Sequence, residues 1–94
     1  MNSSDEISNV MNNYEKNKKK YKTNPTITLF EKTRVLSERA SQIDNGSIIY
    51  IQNPERFENS YQIACKEYEL QVIPFIIKRN IGNSVEYWKL EDLL

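Results

Sequence analysis

Apolar side chains are divided unevenly along this chain: positions 1–26 carry six of them (Met1, Ile7, Val10, Met11, Tyr14 and Tyr21), and the remaining 68 positions carry thirty. Ordering a backbone costs roughly 1–2 kcal/mol per residue, which six scattered apolar groups cannot offset. The expectation is a boundary near Asn24–Pro25, with a flexible basic tail over 1–26 and a folded body over 27–94. Ile7, Val10, Met11 and Tyr14 recur at spacings of three and four, so a short amphipathic helix forms there only if another surface covers it.

The body reads as α+β: two main helices, a short strand and a C-terminal β-hairpin. Thr28 and Glu31 form a capping box that opens the first helix. Leu29, Leu36, Ala40 and Ile43 recur at helical spacing, Phe30 and Val35 widen the stripe, and Asn45–Gly46 ends it. Ser47 to Gln52 is β-branched and aromatic, the composition of a strand, and Asn53–Pro54 stops it. Asn59 and Gln62 open a second helix, whose apolar residues (Tyr61, Ile63, Ala64, Cys65, Tyr68, Leu70) cover so much of its girth that a sandwiched position is expected. Pro74 then forces an extended backbone at Ile73. Phe75 to Arg79 and Val85 to Trp88 read as a hairpin turning at Gly82–Asn83. Leu90, Leu93 and Leu94 have no evident partner in the chain and read as a docking segment.

The chemical inventory narrows the function. The chain has no histidine and one cysteine, so imidazole catalysis, an intrachain disulfide and a multi-cysteine zinc site are all excluded. Gly46 and Gly82 are its two glycines, too few for a dinucleotide fingerprint or a phosphate-cradling loop. The expectation is a non-enzyme that uses no cofactor, no metal and no small-molecule substrate. Thirteen basic residues balance thirteen acidic ones, so no long-range attraction draws the molecule to nucleic acid or to a membrane. No stretch approaches a membrane span, and the opening MNSSDEISN lacks the build of a secretory signal, which points to an intracellular protein. Lys16, Lys18, Lys19, Lys20 and Lys22 make a local basic run that is either plainly solvated or a contact for a phosphate backbone or an import receptor.

Pro25, Thr28, Glu31, Arg34, Val35, Leu36, Arg39, Ala40, Gln42 and Ile43 form a spaced pattern that resembles the small assembly subunit shared by eukaryotic nuclear RNA polymerases, called subunit K in archaea and omega in bacteria. A second block carries the same resemblance: Ile63, Ala64, Lys66, Glu67, Ile73, Pro74, Ile76, Ile77 and Arg79, followed by Ser84, Glu86 and Trp88. The likeness covers residues 25 to 93. The connection between the helices departs from the family, and the family's long acidic tail is replaced by a short lysine-bearing one without Phe or Trp, so factor recruitment through that tail is not carried over.

The resemblance implies a non-catalytic subunit of a DNA-directed RNA polymerase that clasps the largest subunit and supports assembly. DNA would be reached only through the complex. It implies an interface made by Thr28, Glu31, Arg34, Arg39, Gln42, Pro74, Lys78, Arg79 and Trp88. Each has a plainer reading beside it. Thr28 and Glu31 are explained by capping, Arg34 and Arg39 by surface pairing with Glu31 and Glu38, and Lys78 and Arg79 by protection of a strand edge. Pro74 reads as architectural, Trp88 as home core, and Cys65 as packing. The competing function is a free-standing regulatory or nucleic-acid-interaction module that uses the basic tail. Eleven Asn, eleven Ile and nine Lys suggest an AT-rich coding genome, and with the short tail a large DNA virus, hence host cytoplasm and virion. A cellular source implies the nucleus instead.

Overall fold

The computed structural model describes residues 11–94. Ile7 and Val10 of the expected amphipathic helix lie outside that range. The first described helix, α1 (Tyr14–Lys18), is a single turn of backbone whose Tyr14 is only 3% exposed. Helix α2 (Leu29–Asp44) starts where the capping box placed it: the Thr28 hydroxyl accepts from the Glu31 N–H, and the Glu31 carboxylate accepts from the Thr28 N–H. Helix α3 (Ser60–Glu69) starts at Asn59, whose side chain accepts from the Gln62 N–H. Gln62 reaches back to the Glu58 N–H, one residue before the cap.

Both long helices end in the same motif. In α2 the Gly46 and Ser47 N–H groups donate to Ile43 and Gln42 carbonyls; in α3 the Gln71 and Val72 N–H groups donate to Tyr68 and Glu67 carbonyls. This Schellman pattern needs a left-handed residue after the cap. Gly46 (φ +94°) supplies it without cost, whereas Gln71 (φ +60°) adopts it with a side chain attached.

Strands β1 (Ile76–Ile81) and β2 (Ser84–Lys89) pair antiparallel in the register Ile76–Lys89 to Ile81–Ser84, around the expected turn at Gly82–Asn83. Gly82 has φ +56°, as a tight two-residue hairpin turn requires at its first position. Burial on β1 alternates, with Ile77, Arg79 and Ile81 inward, as expected for a strand covered on one face. On β2 three consecutive residues, Glu86, Tyr87 and Trp88, are all buried. A strand buried on both faces needs two covers. Tyr21, Lys22 and Thr23 supply contacts there: the Tyr21 ring lies 5.1 Å from Trp88, its hydroxyl accepts from the Tyr87 N–H, and Lys22 N–H and the Thr23 hydroxyl both donate to Glu86.

The core gathers where α2 meets the segment entering and leaving the hairpin: Val35, Ile73 and Leu90, with Ile27, Tyr68, Phe75 and Ile77 packed around them. The chain ends of the body are tied together here, since Ile27 N–H donates to the Leu93 carbonyl at 2.8 Å.

Four expectations are corrected. Residues 47–52 form no strand; the sheet has two strands, and the backbone of this segment is held by side chains instead, with Arg39 donating to the Ile48 carbonyl and Tyr50 N–H donating to Glu67. Its β-branched residues serve no ladder, and Ile48 is exposed. Helix α3 is not sandwiched: Ile63, Ala64 and Glu67 are buried toward α2, while Tyr61 and Leu70 remain exposed. Leu90 and Leu93 are not a free docking segment but are buried, because the short 3-10 turn Leu90–Asp92 brings Leu90 onto Val35 and Ile73 and Leu93 beside Ile27; Leu94 is exposed. Last, the boundary near Asn24 does not separate unpacked from packed residues. Among the described residues, Tyr14, Tyr21, Lys22 and Thr23 contact β2 and Asp92, so this part of the chain before position 26 is packed against surface from the hairpin and the turn that follows it.

Candidate functional site

A groove of about 640 Å³ runs between α2 and β1. Its two walls come from the first half of α2, with its cap Thr28, and from Phe75 to Ile81. Five residues that the resemblance implied as an interface meet on this groove: Thr28, Glu31 and Arg34 from α2, and Lys78 and Arg79 from β1. Phe30, 74% exposed, stands at its edge.

One ion pair fixes the two walls. Arg79 grips Glu31 through both carboxylate oxygens, Nε to Oε2 at 2.8 Å and a terminal nitrogen to Oε1 at 2.8 Å. The same guanidinium donates to the carbonyls of Asn24 (2.6 Å) and Thr26 (3.0 Å) and to the Thr23 hydroxyl (3.0 Å). A rigid planar fork with five N–H groups is suited to gathering acceptors in this way. Arg79 therefore joins three pieces: the strand it sits on, the first turn of α2, and the chain entering that turn. The Arg79 hydrogen bonds, opposed by burial and assisted by the Thr28 N–H, hold the Glu31 carboxyl down at a pKa of about 2. The arginine is correspondingly stabilised in its charged form by the same hydrogen bonds.

Next to it Glu86 closes a second polar knot. Its oxygens accept from Lys22 N–H at 2.7 Å, from the Thr23 hydroxyl, and from the Trp88 indole at 3.0 Å. Burial alone pushes this carboxyl's pKa up, but the three donors outweigh it and leave the value below the ordinary carboxylate range.

The other implied residues are dispersed. Arg39 is 3% exposed and Glu67 is fully buried; Arg39 donates to Glu67 at 2.5 and 3.0 Å, to the Ile48 carbonyl at 2.7 Å and to Gln42 at 3.2 Å. This corrects the reading of Arg39 as a surface arginine offered to a partner: its guanidinium is consumed inside the chain. Trp88 is likewise buried, stacked on Tyr21 and bonded to Glu86, so it belongs to the home core. Gln42 is exposed near the far end of α2, and Pro74 lines a separate cleft beside Leu90. On the groove itself, Arg34 pairs with Glu38 at 2.9 Å, both well exposed, and Lys78 is exposed.

Of the lysine run, Lys18 is drawn inward: it pairs with Glu15 and Asp92 and sits 5.4 Å over the Tyr14 ring. Lys16, Lys19, Lys20 and Lys22 are exposed. Among the described residues no group of three or more His, Cys, Asp or Glu is placed to hold a metal ion, and no helix is long and apolar enough to cross a membrane.

Sequence reasoning missed the burial of Glu67. The available signal was position: Glu67 lies three and four residues after Ala64 and Ile63, and Arg39 three after Leu36, so each charge sits within the apolar stripe of its helix. Two opposite charges in two facing stripes are a pair.

No protein-family model matches the chain. Individual proteins do. The chain is 40% identical over 55 residues to the DNA-directed RNA polymerase subunit Rpo6 of Thermofilum pendens, covering 58% of this chain and 68% of that protein. It is 42% identical over 52 residues to Rpo6 of Thermoplasma volcanium, covering 55% of this chain and 85% of the relative. With the RPABC2 subunit of RNA polymerases I, II and III of Saccharomyces cerevisiae it shares 33% identity over 73 residues, 77% of this chain and 46% of the yeast protein. It thus spans about half the length of that eukaryotic relative. Rpo6 and RPABC2 are non-catalytic polymerase components. The paired helix, capping box and hairpin arginine described above lie in a chain that belongs to the Rpo6/RPABC2 family of small DNA-directed RNA polymerase subunits.

Proposed function

We propose that this chain is a non-catalytic subunit of a multisubunit DNA-directed RNA polymerase and that it clasps the largest subunit through the α2–β1 groove, supporting assembly of the enzyme. The observation that carries the reading is one groove on which Thr28, Phe30, Arg34 and Lys78 are exposed, while the Glu31–Arg79 pair, its donors spent within the chain, holds the two walls together. Residues distant in sequence share a surface that the chain itself leaves uncovered. Size supports it too: a body of 27–94 supplies only about 3–5 kcal/mol from its own core, and a partner that binds the folded form alone adds to that. On this reading 27–94 is the polymerase-binding unit, 1–26 is an appended basic segment, and DNA is met within the complex. The site of action follows the enzyme: nucleus for a cellular eukaryotic polymerase, host cytoplasm and particle for one encoded by a large DNA virus, as the Asn, Ile and Lys usage suggests.

Co-purification tests this. The tagged full chain, expressed in its native setting, is expected to bring down the polymerase's largest subunit, and Phe30→Asp with Lys78→Glu is expected to reduce recovery at least tenfold while leaving the circular dichroism spectrum unchanged. Recovery of no large subunit, or equal recovery with the double variant, sinks the proposal.

A further inference from the structure

The basic run lies on a segment that the hairpin holds in place. The Tyr14 hydroxyl donates to Asp92 at 2.6 Å and accepts from Lys89 N–H at 3.1 Å. Tyr21 lies against Trp88, and Lys22 N–H is bonded to Glu86. The segment is therefore pinned before, within and after the lysines. Lys18 turns inward onto Asp92 and Tyr14. Lys16, two residues from the buried Tyr14, is exposed, as are Lys19 and Lys20 in the turn that follows α1.

Beside them is a shallow cleft of about 400 Å³ between this segment and β2, lined by Asn17, Lys20, Tyr21, Lys22, Ser84 and Glu86 among others. Glu86 stays ionised, but it is 5% exposed, its oxygens accept from Lys22 N–H, the Thr23 hydroxyl and the Trp88 indole and not from a lysine ammonium, and the Arg79 guanidinium nearby opposes its charge.

We infer that this ridge binds a nucleic-acid backbone, with one phosphate in the cleft between Lys20 and Lys22 and its neighbours on Lys16 and Lys19. Asn17 and Ser84 add uncharged donors at the cleft, and the half-buried Tyr21, which also lines it, offers a surface for a sugar or base. The charge type selects the partner. Lysines are point charges on flexible stems, suited to a regular array of phosphates, whereas bidentate capture of protein carboxylates favours arginine, of which residues 16–22 contain none. The whole chain is neutral, so the attraction is local, confined to about one Debye length of 8 Å. This goes beyond the polymerase reading, in which nucleic acid is met only through the complex.

The test is fluorescence anisotropy of the full chain with a labelled mixed-sequence single-stranded 20-mer between 50 and 300 mM KCl. Four lysine contacts predict affinity falling with salt at a log–log slope of about −3, at roughly 0.7 per contact. Lys20→Gln with Lys22→Gln is expected to weaken binding about tenfold at 50 mM and to reduce the slope by roughly 1.4. Lys32→Gln with Lys66→Gln removes the same charge elsewhere and is expected to change affinity by less than about twofold. Absence of binding at 50 mM, a salt-independent affinity, or equal losses in the two double variants overturns the inference. So does equally effective competition by a polyglutamate peptide, which would assign the ridge to acidic protein. Recovery of polymerase with Lys20→Gln/Lys22→Gln is expected to be unchanged, which separates this inference from the groove proposal.

Discussion

Helix α2 is clasped at two places by the same chemistry. Near its middle Arg39 holds Glu67 of α3, with the side chains 3% and 0% exposed; at its first turn Glu31 is held by Arg79 of β1, at 17% and 10%. The first pair is sealed. Removing one partner there strands a charge in a dry interior, a penalty that the surviving hydrogen bonds to Ile48 and Gln42 cannot repay. The second pair sits on the rim of an open groove, where water reaches part of it and the lost charge is partly solvated. Identical side chains thus fix the helix pair in one region and hold the two walls of the groove in the other. The exposed pair Arg34–Glu38, at 68% and 54%, marks the limit in which a clasp holds nothing.

The comparison breaks first at the sealed pair. Glu67→Ala is expected to cost about 3–5 kcal/mol in urea unfolding, and Arg39→Met with Glu67→Leu to recover most of it. A loss under 1 kcal/mol for the single variant would show that the interior is wetter than the burial implies. At the rim, Glu31→Gln is expected to cost on the order of 2 kcal/mol at pH 7 after allowing for solvent screening. The sign can be checked with acid. The folded-state pKa of Glu31, about 2, lies below its ordinary value of 4.5, so its contribution is complete above about pH 5 and disappears as pH falls toward 2. The stability gap between wild type and Glu31→Gln must therefore close across that window; a constant gap contradicts the assigned cause. The smallest effect belongs to the exposed pair: Arg34→Ala should change stability by no more than about 0.5 kcal/mol while lowering polymerase recovery through the groove. A stability loss above 1 kcal/mol would reverse the ordering by exposure.

A different contrast concerns the helix ends. Gly46 and Gln71 occupy the same left-handed position in the same motif, and Gln71→Gly is expected to raise the unfolding free energy by about 0.5–1 kcal/mol in the same urea assay. No gain would mean that the Gln71 side chain makes up the backbone strain.

The legible parts of this protein were those written in short stretches of chain. The capping box at Thr28 and Glu31, the Asn59 cap, the stop at Gly46 and the Gly82–Asn83 turn each involve residues within a few positions of one another, so the amino acids alone specify the geometry. Five of the residues the resemblance named line one groove in the fold, but the resemblance could not distinguish Arg34, which is exposed, from Arg39, which is sealed. That distinction depends on what α3 brings opposite each one.

Local composition misled where a distant group intervened. Ser47 to Gln52 has the residues of a strand, yet Arg39 and Glu67 hold its backbone and no second strand arrives to pair with it. Leu90 and Leu93 looked partnerless because their neighbours, Val35, Ile73 and Ile27, lie far back in the chain.

By itself the sequence determined where α2 begins and ends, where α3 begins, where the hairpin turns, that imidazole and multi-cysteine chemistry are excluded, and which family the pattern resembles. These are consequences of backbone sterics, capping and elemental inventory. Only the tertiary structure decided which charges are buried, that the lysine-bearing segment lies pinned along β2, and that α2 and β1 leave a groove between them. Burial is a property of the surface that arrives from elsewhere in the chain, and the same arginine is a solvated point or a sealed clasp according to what that surface carries.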